Sequence, residues 1–217
     1  WPNRGSYMFR KNWLYDPSTQ DSAAVLDHMV EILYHLEKCH DQGKIRHVGL
    51  SNETAWGTMR WLAMAAAHNL PRMVSIQNEY SLLCRLFDLD MAELSHHETI
   101  GLLSFSPLAT GLLSGKYTDG AIPAGSRRSI NADLGGRINE HLWPALNGYL
   151  DIAERHELDP CQMALAWAAT RPFITSQIIG ATSITQLQTA LESTNITLSD
   201  AVMCDIQNTY RRYPMPF

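Results

Sequence analysis

Apolar residues recur along this chain in two rhythms. In the first, short apolar runs occupy residues 45–50, 73–77, 100–105 and 176–180. Each is apolar on both faces and ends in polar or small residues, the pattern of a strand buried in a parallel sheet. In the second, apolar positions return every three or four residues. Residues 22–42 place Val25, Met29, Ile32, Leu33 and Leu36 on one helical face, and Gly43 supplies a stop. Residues 54–69, rich in Ala and Met with Pro71 just beyond, predict a second helix, residues 86–97 a third and residues 139–156 a fourth. Asp159-Pro160 opens the next, with Asp at the N-cap and Pro at the first helical position. Residues 184–193 and 200–212 complete the set.

Strands of parallel type alternating with helices predict an α/β fold. Four strands fall short of the eight of a whole barrel, which takes about 250 residues. On pattern alone a small doubly wound domain stays open. Two long stretches lack either rhythm. Residues 1–21 are aromatic and basic, and residues 108–137 are rich in Gly, Ser and Pro. Loops of this length inside a domain are often functional.

Composition narrows the picture. Of 217 residues 45% are hydrophobic and 18% charged, an ordinary globular balance. The formal net charge of -5 argues against a nucleic-acid binder, which carries a basic face. Cys39, Cys84, Cys161 and Cys204 form no C-x-x-C pair, so reduced thiols in a cytoplasmic protein are expected, with neither a disulfide framework nor a zinc site. His28 and His35 are badly spaced for a metal, and His96-His97 reads as a solvated helix end. No apolar run reaches the roughly 18 residues of a membrane span, and no signal-peptide pattern precedes the first helix. Residue 1 is Trp and not Met, which reads as a fragment, a processed form or a partial reading frame.

Polar groups collect where strands end, the side on which parallel α/β proteins bind ligands. Ser51-Asn52 offers donors and an acceptor to an amide, or else caps the next helix. Gln77 presents both amide functions, in a run whose Tyr80 reads equally as core. Phe105 can stack on a flat heteroaromatic ring, and the small-residue loop after it, with Lys116, suits phosphates or a solvated surface. After Gly180, Thr182 and Ser183 open a helix, and Ser183 with Gln186 has the spacing of a capping box.

Four stretches occur together and in order: Gly43 to Asn52, Ser75 to Leu83, Phe105 to Leu108 with Gly115-Lys116-Tyr117, and Gly180-Ala181-Thr182. Jointly they resemble the aldo-keto reductases, most closely the branch of the Tas-like reductases and potassium-channel β-subunits. The resemblance implies a (β/α)8 TIM barrel, of which residues 1–217 form a single partial domain with about strands 5–8, strands 1–4 being absent. It implies NADP(H) as cofactor and hydride transfer from NADPH to an aldehyde or ketone. The alternative is a non-catalytic NADPH-binding or regulatory subunit.

Carried over, Ser51, Asn52 and Gln77 hold the nicotinamide carboxamide. Phe105 stacks on the nicotinamide, where the family usually has Tyr or Trp. Ser106, Pro107, Leu108, Thr110 and Lys116 line the pyrophosphate, and Arg127 belongs to the loop that folds over the cofactor. Gly180, Thr182 and Gln186 serve the 2′-phosphate end. Thr189-Ala190 departs from the family's usual Glu-Asn, which weakens the expected adenine contacts. The family's catalytic Asp, Tyr, Lys and His lie upstream, the His just before Trp1-Pro2, so no catalytic residue is assigned and the chain alone is expected to be inactive. The expected partners are a small carbonyl substrate and either a second copy or the missing half, with no nucleic acid and no membrane.

Overall fold

The computed structural model describes residue 18, residues 20–214 and residues 216–217. The irregular stretch expected over residues 1–21 lies, but for Ser18, Gln20 and Asp21, outside the described residues. The chain divides into two units, one of residues up to Asn78 with Asp90–Leu102, the other of Glu79–Leu89 with Leu103–Phe217.

The first unit begins with α1 (Ser22–Asp41). The Asp21 carboxylate accepts from the Ala23 and Ala24 amides at 2.9 and 3.1 Å, satisfying donors that no earlier turn can reach. The helix buries Val25, Met29 and Leu33 and ends at Gly43, whose positive φ of 67° closes the last turn. Strand β1 (Val48–Ser51) starts later than the apolar run predicts, because the chain bends at Arg46. It pairs in parallel with β2 (Met73–Glu79), Leu50 opposite Ile76 and Ser51 opposite Gln77. The register slips between Val48 and Gly49. A Cβ on Gly49 would press on the Ser75 hydroxyl and sit 3.0 Å from the Ser75 carbonyl, so glycine eases the approach of the strands here.

Between the strands runs α2 (Ala55–His68), which buries Trp61, Leu62 and Ala65 and stops at Asn69 in the left-handed region. It packs on α1 and on α3 (Asp90–Glu98). One continuous helix over residues 86–97 is the expectation that fails. Leu86–Asp88 forms a 3-10 turn, and the backbone at Leu89, with ψ of -127°, leaves the helical region before α3 begins. The Ser95 hydroxyl donates to the Ile100 carbonyl at the close of α3. In this unit the first residues of β3 (Gly101–Phe105) lie beside β2.

In the second unit the rest of β3 lies beside β4 (Ile174–Ile178), and the Ser104 hydroxyl donates to the Ser176 carbonyl at 3.5 Å. Residues 108–137 are not one loop. They hold 3-10 turns at Ala109–Ser114 and Thr118–Gly120 and the short helix α4 (Arg127–Ile130). Next comes α5 (Leu142–Arg155), preceded by Asn139, whose side chain accepts from the His141 and Leu142 amides. Then α6 (Pro160–Ala169) opens on the Asp159–Pro160 signal, Asp159 accepting from the Gln162 amide at 3.0 Å. It buries every residue from Met163 to Ala168 and packs on α5, β4, the Ala109–Ser114 turn and α7 (Ile184–Glu192). Helix α7 itself has no buried residue, and Ile184 and Leu191 are 77% and 58% exposed. Last comes α8 (Asp200–Arg212), laid on α5 through Val202 and Ile206. No helix among the described residues is long and apolar enough to cross a membrane.

One carboxylate knits the second unit. Asp88 accepts from the Tyr80 hydroxyl at 2.7 Å, from Arg85 at 2.7 Å and from Arg171 at 3.1 Å. Arg85 lies over the rings of Trp167 and Tyr210, at 5.0 and 3.8 Å, and Tyr80 stacks on Trp167 at 5.5 Å. The segment after β2, the 3-10 turn, α6 and α8 thus gather around one largely shielded charge, the Asp88 side chain being 11% exposed.

Two outcomes follow for stability. Removing one partner of a buried pair strands the other, so Asp88→Ala is expected to lower the unfolding free energy by about 3–5 kcal/mol in urea titrations. On the surface, Asp205 of α8 takes Arg155 at 2.9 Å and His156 at 3.0 Å from the end of α5, and their hydrogen bonds hold its carboxyl below the usual range. A folded-state pKa below the unfolded one gives stability that is present above the unfolded value and lost as pH falls through the folded one. Asp205→Asn should therefore lower the melting temperature at neutral pH while leaving it nearly unchanged at strongly acid pH; equal effects at both would refute the assignment.

Candidate functional site

In the first unit Ser51, Asn52 and Gln77 come together because β1 and β2 end in register. The Asn52 amide N–H donates to the Gln77 carbonyl at 2.9 Å, and the Asn52 side chain donates to the Ser51 hydroxyl at 3.2 Å. Asn52 takes a φ of 51°, a left-handed conformation that turns the chain off the strand. The capping alternative for Ser51 and Asn52 falls away, since the N-cap of α2 is Thr54, which accepts from the Gly57 amide at 3.2 Å. Among the described residues the Gln77 side-chain amide has no hydrogen-bond partner, although the residue is half-buried. Its donors and its acceptor are unspent, as a group that reads another amide requires.

Asn78 and Glu53, to which the sequence pattern assigns no role, hold this corner. The Asn78 side chain accepts from the Glu53 N–H at 3.0 Å and donates to the Glu53 carbonyl at 2.8 Å. The Glu53 carboxylate is 3% exposed and accepts from the Thr54 amide at 2.8 Å and the Trp61 indole at 3.1 Å. The signal lay in the Gln77-Asn78-Glu79 run, but nothing in the spacing ties it to residue 53.

In the second unit Phe105 is half-buried at the end of β3, its carbonyl accepting from the Tyr80 amide at 3.3 Å. The loop after it concentrates unusual backbone: Ser106, Ala109, Thr110 and Gly111 all have positive φ, between 48° and 96°. Non-glycine residues there cost about 1–3 kcal/mol each and persist only where the surroundings over-determine them. Here Ala109 N–H bonds to Ser106 O at 2.7 Å, Gly111 N–H to Leu108 O at 2.9 Å, and Leu112 and Leu113 are buried beneath. Pro107 is buried as well, while Leu108 and Thr110 are half-buried. Lys116 lies across Gly111, where a Cβ would come within 2.8 Å of its Nζ. Lys116 is exposed and has no carboxylate partner among the described residues, so its charge is available to an anion.

Arg127 is exposed on α4 with no side-chain partner among the described residues, and the structure brings it to none of the other site residues. Its stretch is anchored instead by Arg137, which forks onto Glu79 at 3.0 and 2.7 Å and donates to the Leu134 carbonyl at 2.6 Å. Beyond β4, Gly180 stands open: nothing lies within 4 Å of the point a Cβ would occupy, so space does not demand glycine there. Ser183 caps α7 as its spacing predicts, but Gln186 reaches past it to the Thr182 amide and hydroxyl, at 2.9 and 3.1 Å. Thr182 and Gln186 are exposed.

Two groups that invite a chemical role are disqualified by their surroundings. Tyr80 is fully buried, and burial, then the Asp88 charge and hydrogen bond, push its pKa far up, so it is core and not an acid. Burial likewise pushes the Cys161 thiol up to about 11, with Asp159 adding to the shift and Lys116 opposing it, so it stays protonated at neutral pH. Among the described residues no cluster suited to a metal ion occurs.

Residues 13–211 match the model of the aldo/keto reductase family. The chain is 43% identical over 216 residues to Protein tas of Escherichia coli, covering 100% of this chain and 61% of that protein. It is 30% identical over 161 residues to the uncharacterized oxidoreductase YrpG of Bacillus subtilis, covering 74% of this chain and 48% of the relative. To a probable voltage-gated potassium channel subunit beta of Arabidopsis thaliana it is 33% identical over 153 residues, covering 65% and 47%. The chain thus spans about 61% of the length of Protein tas. With the family's pattern extending over almost all of its residues, on a parallel α/β framework, the chain belongs to the aldo/keto reductase family.

Proposed function

We propose that this chain binds NADP(H) and serves hydride transfer between NADPH and a small aldehyde or ketone. The observation that carries the reading is the Ser51, Asn52 and Gln77 group, set side by side by strand register, with the Gln77 amide unspent and half-buried. A carboxamide bound there meets both a donor and an acceptor. In the second unit, Phe105 offers a ring face, and Ser106, Pro107, Leu108 and Thr110 form a tightly turned backbone beside the unpaired Lys116, chemistry that suits a pyrophosphate. Arg127 and the Gly180, Thr182 and Gln186 corner, which opens α7, are assigned to the phosphate-rich adenosine end. The bound nicotinamide supplies the hydride; these residues orient it and neutralise phosphate charge. On this reading the four strands belong to a (β/α)8 barrel, with ligands at the carboxyl ends of the strands.

A second reading, a non-catalytic NADPH-binding regulatory subunit, is supported by the likeness to a channel β-subunit. Both readings require NADPH binding. They part on turnover, since only the first leads to NADPH consumption with added aldehydes.

Losing a charged hydrogen bond typically costs about 1.5–3 kcal/mol. Lys116→Ala is therefore expected to weaken NADPH binding roughly 10- to 150-fold in a fluorescence titration. An unchanged affinity would take Lys116 out of the site.

A further inference from the structure

We propose that Asn78 is the positioning residue of the carboxamide corner, a role that rests on the NADP(H) reading above. The physical case begins with the backbone. After β1 the chain must leave the strand within one residue, and it does so at Asn52, in a left-handed conformation that an L-residue adopts at a cost. On one side of that turn the Asn52 N–H is held by the Gln77 carbonyl at 2.9 Å. On the other side, Glu53 is held by the Asn78 side chain through both its N–H, at 3.0 Å, and its carbonyl, at 2.8 Å.

Asparagine is matched to this task. Its side-chain amide is a copy of the peptide group, with one acceptor and a donor set in a plane, so it satisfies a neighbouring peptide N–H and C=O together. Aspartate would keep the acceptor and lose the donor, turning an oxygen towards the Glu53 carbonyl. Alanine would lose both. Glu53 in turn is fixed by its own carboxylate, buried against the Thr54 amide and the Trp61 indole. Adjacent residues of β2 therefore divide the work: Gln77 reads the ligand and the Asn52 backbone, and Asn78 sets the angle at which Ser51 and Asn52 are presented. A position error of even 1 Å in a polar contact of this kind costs affinity steeply.

The role is local to the nicotinamide end, and this separates it from a general structural one. The experiment is calorimetric titration of the full chain and its Asn78→Ala variant with two ligands, NADPH and adenosine 2′,5′-bisphosphate, which carries the phosphate end and no nicotinamide. The expected result is an NADPH affinity weaker by about tenfold in the variant, with the bisphosphate affinity kept within about twofold. Equal loss for both ligands would mean that Asn78 only supports the fold, and no loss for either would mean that it positions nothing; each overturns the proposal and leaves the NADP(H) reading standing. If the unaltered chain binds neither ligand, the NADP(H) reading falls and the proposal with it. Should Asn78→Ala not fold, Asn78→Leu, close in size and uncharged but without donor or acceptor, is expected to show the same selective loss.

Discussion

A carboxylate largely shielded from water is tolerable only when positive charge and hydrogen-bond donors surround it, and Asp88 meets that condition three times over, from Tyr80, Arg85 and Arg171. The donors come from places far apart in the chain: the residue after β2, the turn before α3 and the connection between α6 and β4. Arg85, lying over Trp167 and Tyr210, extends the grip to α6 and α8. The second unit's other features depend on this arrangement. The strained loop after β3 rests on α5 and α6, and α6 is held in place by the ring that Tyr80 and Arg85 share. A loop whose backbone occupies the left-handed region at consecutive residues needs such a floor in addition to its own short hydrogen bonds.

The same economy governs the first unit at a smaller scale. Peptide groups at the ends of β1 and β2 are satisfied by side chains of the neighbouring strand and by the buried Glu53, without a ligand. Among the described residues the Gln77 side chain at this corner makes no hydrogen bond. Asn78, bonded twice to the Glu53 peptide, and Gln77, whose side chain makes no hydrogen bond among the described residues, thus stand in contrast although adjacent in sequence.

Much of this was legible in the sequence wherever the controlling physics is local or periodic. Parallel strands announced themselves as short apolar runs, α6 by Asp159-Pro160, and α1 by its apolar stripe and Gly43. The failures were also of particular kinds. The helix expected over residues 86–97 broke at Leu89 because Asp88 is recruited to Tyr80 and two arginines, a demand invisible to a helical period. The stretch over residues 108–137 hid a short helix and 3-10 turns, since Gly and Pro mark turns without saying which. That Ser51, Asn52 and Gln77 lie at paired strand ends was readable because strand ends are predictable places. Asn78 with Glu53, and Arg137 with Glu79, were not, because a pairing between distant residues leaves no trace in spacing. Arg127 was singled out by resemblance alone and Gly180 also as a strand end; Arg127 is exposed, and nothing lies within 4 Å of the point a Cβ on Gly180 would occupy.

The closeness of Gly49 to Ser75 bears on how such a chain can change over generations. Every single-base change in a glycine codon that yields a different amino acid adds a Cβ, and each such residue presses on the Ser75 hydroxyl and comes to 3.0 Å from its carbonyl. Trimming Ser75 to glycine would free the first contact but not the second, which is backbone. Position 49 thus accepts a larger residue only where the Ser75 side chain turns away and the paired strands give by a few tenths of an ångström. A change at residue 49 is in this way felt by the same pairing that sets Ser51 opposite Gln77.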